Sequence, residues 1–236
     1  MGRNSYFQFK QFTVHQGQCA MKVTTDACVF GALAEAIAPQ RILDIGTGTG
    51  LLSLMLAQRY HAPIDAVELD EAAAQQASQN FRLSPWSSNL HLHQGAIQEF
   101  TPSTSYDLIV TNPPFFGNQL PSQNPEKRNA WHQTTLGSRE LAEAISRLLS
   151  KEGKGWVLLP PKEASTFQSH AQAVGLRLHC QIAHHSFRES EPHLCTMAWG
   201  KEAINPVATE LVYYKDAKKS LTEKMRDLLT PYYMFL

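Results

Sequence analysis

The sequence predicts an α/β fold: a doubly wound, mostly parallel seven-stranded sheet that ends in an antiparallel C-terminal hairpin. Three observations carry this. Short apolar runs that read as buried strands alternate with helical patterns, which implies parallel strands joined by right-handed crossovers. The 236 residues fall in the range of one α/β domain, and 43% of them are hydrophobic, enough for a continuous core. The last two long strand patterns follow each other without a helix between them, so they pair as a hairpin.

In chain order, residues 1–40 read as an opening segment, 41–200 as the core sheet and 201–236 as a C-terminal extension, together one domain. In the opening segment Phe7, Phe9 and Phe12 stand at alternating or helical spacing, which favours packing in the core. A helix is expected near 28–38, with Asp26 placed either to cap it or to line a pocket. The first core strand, 41–45, runs into Gly46-Thr47-Gly48-Thr49-Gly50, and a helix over 51–60 follows. Strands at 64–68, 90–94, 106–110 and 154–159 come next, with helices at 71–82 and 138–150. A helix over Glu163–Val174 leads to the long strands near 176–186 and 193–201. The stretch Phe116–Leu136 lacks periodicity, and a loop of that length is usually a lid or a binding loop. The tail, Pro231-Tyr232-Tyr233-Met234-Phe235-Leu236, either docks on the core or reaches a partner.

Composition removes several classes. No apolar run approaches the roughly 18 residues of a membrane helix. Arg3 is followed by no apolar h-region, so no secretory signal is expected. Cys19, Cys28, Cys180 and Cys195 show neither metal-ligand spacing nor a disulfide framework, which favours a reducing, cytoplasmic setting. His184-His185 on a strand point to opposite faces, so no metal site is read there. Lys+Arg and Asp+Glu both number 21. Residues 42–121 carry Arg59 and Arg82 against seven acids, a net of −5, and the remainder carries 19 bases and 14 acids, a net of +5. Basic flanks suit a nucleic acid crossing them. For Lys215-Asp216-Ala217-Lys218-Lys219, a phosphate contact and an ordinary solvated surface both remain open.

Two motifs carry chemistry. Asp44 closes an apolar strand and opens the glycine turn. Gly46, Gly48 and Gly50 let backbone approach a ligand, and the following helix presents free N–H groups. A dinucleotide site needs G-x-G-x-x-G, and here the third glycine comes one residue early, so the dehydrogenase reading fails. A carboxylate at position 44 suits an amino or sulfonium ligand and repels a pyrophosphate. Glu68, ending the next strand beside Leu69, is placed to accept from ribose hydroxyls. Downstream, Tyr106-Asp107-Leu108-Ile109-Val110 runs into Asn112-Pro113-Pro114-Phe115. Asn112 offers a carbonyl acceptor, the prolines free their own carbonyls, and Phe115 supplies a flat face. Such a ledge can grip a planar ring bearing an exocyclic amine.

Asp44–Gly50, Glu68 and Asn112–Phe115 together resemble the S-adenosylmethionine-dependent amino-group methyltransferases, in order and in spacing. Phe9-Lys10-Gln11-Phe12 and Ala20-Met21-Lys22-Val23-Thr24-Thr25-Asp26 narrow the resemblance to the tRNA1(Val) (adenine-37-N6)-methyltransferase family, over most of the chain. That resemblance implies a class I, Rossmann-like sheet, S-adenosyl-L-methionine as cofactor and a tRNA anticodon loop as partner. It implies a cofactor pocket drawn from Lys22, Thr24, Asp44, Gly46, Thr47, Gly48, Gly50, Glu68, Leu69, Ala96, Ile97 and Asn112. Asn112, Pro113, Pro114 and Phe115 would hold the target adenine. A monomer is favoured, with no membrane and no metal. The chain departs from the family pattern at Ala96, where many methyltransferases place an acid that reads the cofactor's adenine amine. It departs again at Trp131, where an arginine is common. Arg128 is a candidate phosphate contact; Trp131 and His132 either stack a base or begin the next helix. Rival readings are a ribosomal RNA guanine-N2 methyltransferase, a protein glutamine-N5 methyltransferase, and a non-catalytic RNA-binding module.

Overall fold

The computed structural model describes residues 4–19, 21–114 and 136–236. A β-hairpin opens it, β1 (Tyr6–Gln8) and β2 (Thr13–His15), followed by helix α1 (Thr25–Leu33). The core then alternates β3 (Ile42–Ile45), α2 (Leu51–Ala57), β4 (Ile64–Glu68), α3 (Glu71–Arg82), β5 (Leu90–Gln94) and β6 (Tyr106–Thr111). Helix α4 (Ser138–Leu148), β7 (Leu149–Leu159) and α5 (Pro161–Ala173) follow. The strands β8 (Arg177–His185), β9 (Pro192–Gly200) and β10 (Val207–Val212) precede a last helix, α6 (Glu223–Leu229).

Strands β3 to β10 form one sheet in the order β10-β8-β9-β7-β6-β3-β4-β5. All neighbouring pairs are parallel except those made by β9, which runs against both β7 and β8. The expected hairpin is therefore β8–β9. The sheet has eight strands, not seven. The strand missed, β10, pairs parallel to β8 at the edge, and its first four residues are exposed. Such an edge strand lacks the buried apolar run by which the others are recognised.

Side chains alternate across the sheet. Ile42, Leu108 and Val110 enter one core with α1, α2, α3, α6 and the N-terminal hairpin. Leu43, Ile45 and Ile109 enter the other with α4 and α5. Boundaries shift from expectation where local chemistry decides. Helix α1 starts at Thr25 because the Thr24 hydroxyl, 3.1 Å from the Ala27 N–H, is its cap; Asp26 lies inside the first turn and caps nothing. Strand β7 begins at Leu149, directly from α4, with a register shift opposite Tyr106–Leu108.

The opening aromatics pack as core: Phe9 and Phe12 are buried and stack at 4.5 Å. The tail docks on them. Phe9 bridges Tyr233, the Lys10 N–H donates to the Tyr232 carbonyl at 2.8 Å, and Tyr232 is buried. The four cysteines are free. No helix of the described residues is long and apolar enough to cross a membrane, and no cluster of three His, Cys, Asp or Glu among them is arranged to hold a metal.

Candidate active site

The chain reverses direction across the sheet between β3 and β6, and the ends of β3, β4, β5 and β6 lie side by side there. Register sets Ile45 beside Val67 and Thr111, and Glu68 beside Gln94. Gly46, Glu68, Gly95 and Asn112 therefore form a row at the carboxyl edge, where open α/β sheets receive ligands.

The glycine turn is built by backbone geometry. Gly46, Gly48 and Gly50 have φ of +70°, +57° and +84°, the left-handed region that favours glycine. A Cβ at Gly46 or Gly48 would meet nothing within 4 Å, so those positions border open space. At Gly50 it would lie 2.5 Å from Phe81 Cε1, so this glycine serves helix packing. The Gly46 and Thr47 N–H groups bond the Val67 carbonyl.

Asp44 is fully buried beneath this turn. Its Oδ2 accepts from Thr47 Oγ1 (2.6 Å), Ser53 Oγ (2.8 Å) and the Ser53 N–H (3.1 Å). Its Oδ1 is buried with no partner among the described residues. Burial pushes the carboxyl up to about 6, against the lowering effect of the Thr47 and Ser53 bonds. Glu68 is engaged too: Oε2 accepts the Gly48 N–H at 2.8 Å and Oε1 the Asp70 N–H at 2.9 Å. Its carboxylate therefore shapes the turn as well as facing the edge. Leu69, beside it, is exposed (47%). Ala96 is partly exposed, and the Ile97 side chain is buried in the core. The N–H groups of Ala96 and Ile97 find no acceptor among the described residues.

Asn112 and Pro113 follow β6 as expected, with Pro113 buried and Pro114 exposed. Asn112 Oδ1 is buried and has no hydrogen-bond partner among the described residues. Phe115, Arg128, Trp131 and His132 lie outside the described residues.

The opening segment comes beside the glycine turn, where Asn80 of α3 joins the His15 and Thr49 carbonyls. Lys22 Nζ donates to the Gln16 carbonyl, and Gln16 Oε1 accepts the Val23 N–H at 2.8 Å. The Thr24 hydroxyl accepts the Ala27 N–H as the helix cap, which leaves its own O–H available to donate. Two further polar residues escaped the sequence reading. Asn80 is buried, donates to the His15 and Thr49 carbonyls (both 2.8 Å) and accepts the His15 N–H (2.9 Å). Gln76 Oε1 takes the Gln18 N–H at 3.2 Å. Both stand on the buried face of α3 among Ala73, Ala77 and Phe81. A polar residue on a buried stripe was the available signal, although it did not name the partner.

The donor set fits a cationic nucleoside-type cofactor. Among the described residues, Asp44 Oδ1 is an unpaired buried acceptor that could take an amino group, Gly46 and Gly48 leave room for backbone-close binding, and the Ala96 and Ile97 N–H donors have no acceptor. Asn112 Oδ1 is a second unpaired acceptor, two strands' ends away from the Glu68 side of the row.

Residues 25–157 match the methyltransferase small domain family. A tRNA1(Val) (adenine(37)-N6)-methyltransferase from Dyadobacter fermentans is 44% identical over 238 residues, covering 99% of both chains. Its namesake from Cytophaga hutchinsonii is 51% identical over 178 residues, covering 74% of this chain and 75% of the relative. Among solved structures, one described as a predicted O-methyltransferase from Agrobacterium tumefaciens superposes with a TM-score of 0.66 at 14% identity, over 87% of this chain and 96% of that one, which supports the fold alone. By sequence along nearly its whole length, the chain belongs to the tRNA1(Val) (adenine(37)-N6)-methyltransferase family.

Proposed function

We propose that the protein transfers a methyl group from S-adenosyl-L-methionine to N6 of adenine 37 in the anticodon loop of tRNA1(Val), in the cytoplasm. The observation that carries this is the pair of buried acceptors with no partner among the described residues, Asp44 Oδ1 and Asn112 Oδ1, at one carboxyl edge, together with relatives of that name along the whole chain.

When bound, the cofactor supplies a methyl on a sulfonium, already activated for transfer. Asp44 holds its amino group, Gly46–Gly50 its backbone-close portion, Glu68 its ribose, and Leu69, Ala96 and Ile97 its adenine. Thr47 fixes the Asp44 carboxylate, and Lys22 and Thr24 order the covering segment. An adenine amine is a poor nucleophile because its lone pair is delocalised into the ring. Asn112 Oδ1 and the Pro113 carbonyl accept its two N–H bonds, turn the lone pair out of the ring plane and stabilise positive charge growing on nitrogen. Pro114 stiffens the ledge, and Phe115 stacks on the base. Alignment supplies most of the acceleration, so no general base is assigned. The target base must be unpaired to enter, as a loop nucleotide is.

The test is transfer of labelled methyl to unmodified tRNA, with nucleoside identification, beside Asn112→Ala. We expect label in N6-methyladenosine and a fall in kcat of about 100-fold or more in the variant, with cofactor affinity changed far less. Label in N2-methylguanosine, or none in tRNA, would overturn the substrate.

A further inference from the structure

We propose that the β8–β9 turn and the segment after β10 form a contact surface for the RNA strand that flanks the target nucleotide, with Phe187 and Tyr214 as stacking faces and Arg188, Lys215, Lys218 and Lys219 as phosphate contacts. This rests on the tRNA reading above. Strand β8 is parallel to β7 because both oppose β9, and β7 is parallel to β6. The turn after β8 and the segment after β10 therefore lie at the same edge of the sheet as Asn112.

The turn is locked in a shape that presents its tip. Ser190 Oγ accepts the Phe187 N–H (3.0 Å) and donates to the Phe187 carbonyl (2.8 Å), and His185 Nδ1 pairs with the Ser190 carbonyl at 2.6 Å. The segment after β10 is tied to it through Tyr213 N–H to His185 carbonyl (2.8 Å) and Tyr214 N–H to Ser186 carbonyl (3.0 Å). Phe187, 36% exposed, leans on the Tyr214 ring at 5.8 Å, and Lys219 Nζ sits 5.9 Å over that ring. Lys219 takes φ +60°, outside ordinary preference for lysine, and its turn is closed by Asp216, which accepts the Ser220 N–H at 3.0 Å. An aromatic held at a turn tip and flanked by cations is the arrangement that stacks unpaired bases.

Charge fixes the kind of contact. Residues 186–191 and 213–220 carry four cations against Glu189, Glu191 and Asp216. No ion pair among the described residues engages Arg188, Lys215, Lys218 or Lys219. A surface so balanced gives little long-range attraction, so stacking and a few local phosphate contacts must supply the binding. Three strand steps separate β6 from β8, about 14 Å at ordinary strand spacing, which spans roughly four stacked nucleotides at about 3.4 Å each. A loop that delivers its base to Asn112 can lay a neighbouring base on Phe187.

The test uses the full chain, unmodified tRNA and a short single-stranded RNA. Phe187→Ala should raise KM for tRNA and weaken oligonucleotide binding by about 5- to 100-fold. Its kcat at saturating RNA, cofactor affinity and melting temperature should stay at wild-type values, and Phe187→Tyr should restore binding. The combined Lys215→Ser, Lys218→Ser, Lys219→Asn variant should lower the slope of log affinity against log salt by about 0.7 for each phosphate no longer neutralised. Unchanged KM and unchanged oligonucleotide binding in both variants would overturn the surface. If the wild type methylates no tRNA, the substrate reading fails, and oligonucleotide binding alone then decides: weaker binding in the variants supports the surface, and unaltered binding overturns it.

Discussion

Asp44 is a costly residue for the empty protein. Its carboxyl is buried and pushed up to about 6 from an ordinary 3.8, so the folded state binds that proton more tightly than the unfolded one. The contribution to stability is then fully present below about pH 3.8 and is lost as pH rises through about 6. A shift of this size corresponds to about 3 kcal/mol at neutral pH. We expect Asp44→Asn to be more stable than wild type at pH 7 without cofactor, by up to that amount, and to lose the pH 4–6 decline in chemical denaturation. The same variant should lose cofactor binding. Superimposable pH profiles for the two proteins would refute the role given to burial. The places of Asp44 and Asn112 at strand ends were legible in the sequence because the signal is local: a polar residue ends an apolar strand beside glycines or prolines. Asn80 was not, because its partners His15 and Thr49 lie 65 and 31 positions away, and nothing in α3 announces them.

At the scale of the element, the strand–turn–helix unit divides its glycines between two tasks. Gly48 borders open space and Gly50 packs on Phe81. Gly48→Ala should lose cofactor affinity by more than tenfold while costing about 1–2 kcal/mol of stability for a left-handed alanine. Gly50→Ala adds a clash with a buried ring to the same backbone strain, and should lower the melting temperature far more. Calorimetry with and without cofactor separates the two; equal losses of stability would contradict the division. The sequence showed three glycines at the right spacing, but spacing alone does not tell a ligand-facing glycine from a helix-packing one. The distinction depends on where Phe81 lands, 31 positions further on. The central strands were readable because burial on both faces leaves a continuous apolar run. The hairpin β1–β2 and the edge strand β10 were not, being short or largely exposed.

Over the whole molecule, the two chain ends are one structural unit. Phe7 and Phe9 pack on Tyr233, Phe9 stacks on Phe12, Phe12 meets Trp86 edge-on, and Gln58 Nε2 donates to the Pro231 carbonyl at 2.9 Å. Removing Pro231–Leu236 should expose this aromatic cluster. We expect faster amide exchange through residues 5–24 and weaker cofactor binding, with the exchange of β3, β4 and β6 unchanged. Slowed or unaltered exchange in residues 5–24 would show that the hairpin is held by α3 alone, through Asn80 and Gln76.

The bridge between Phe9 and Tyr233 also sets an order in time. The hairpin is synthesised well before its partner: the tyrosine that seats it is made 218 positions after His15. At usual elongation speeds that is a wait of roughly 10 to 40 s. During it Phe7 and Phe9 lack the Tyr233 ring that packs on them. The seat of the hairpin is therefore completed only after every strand of the sheet has been made.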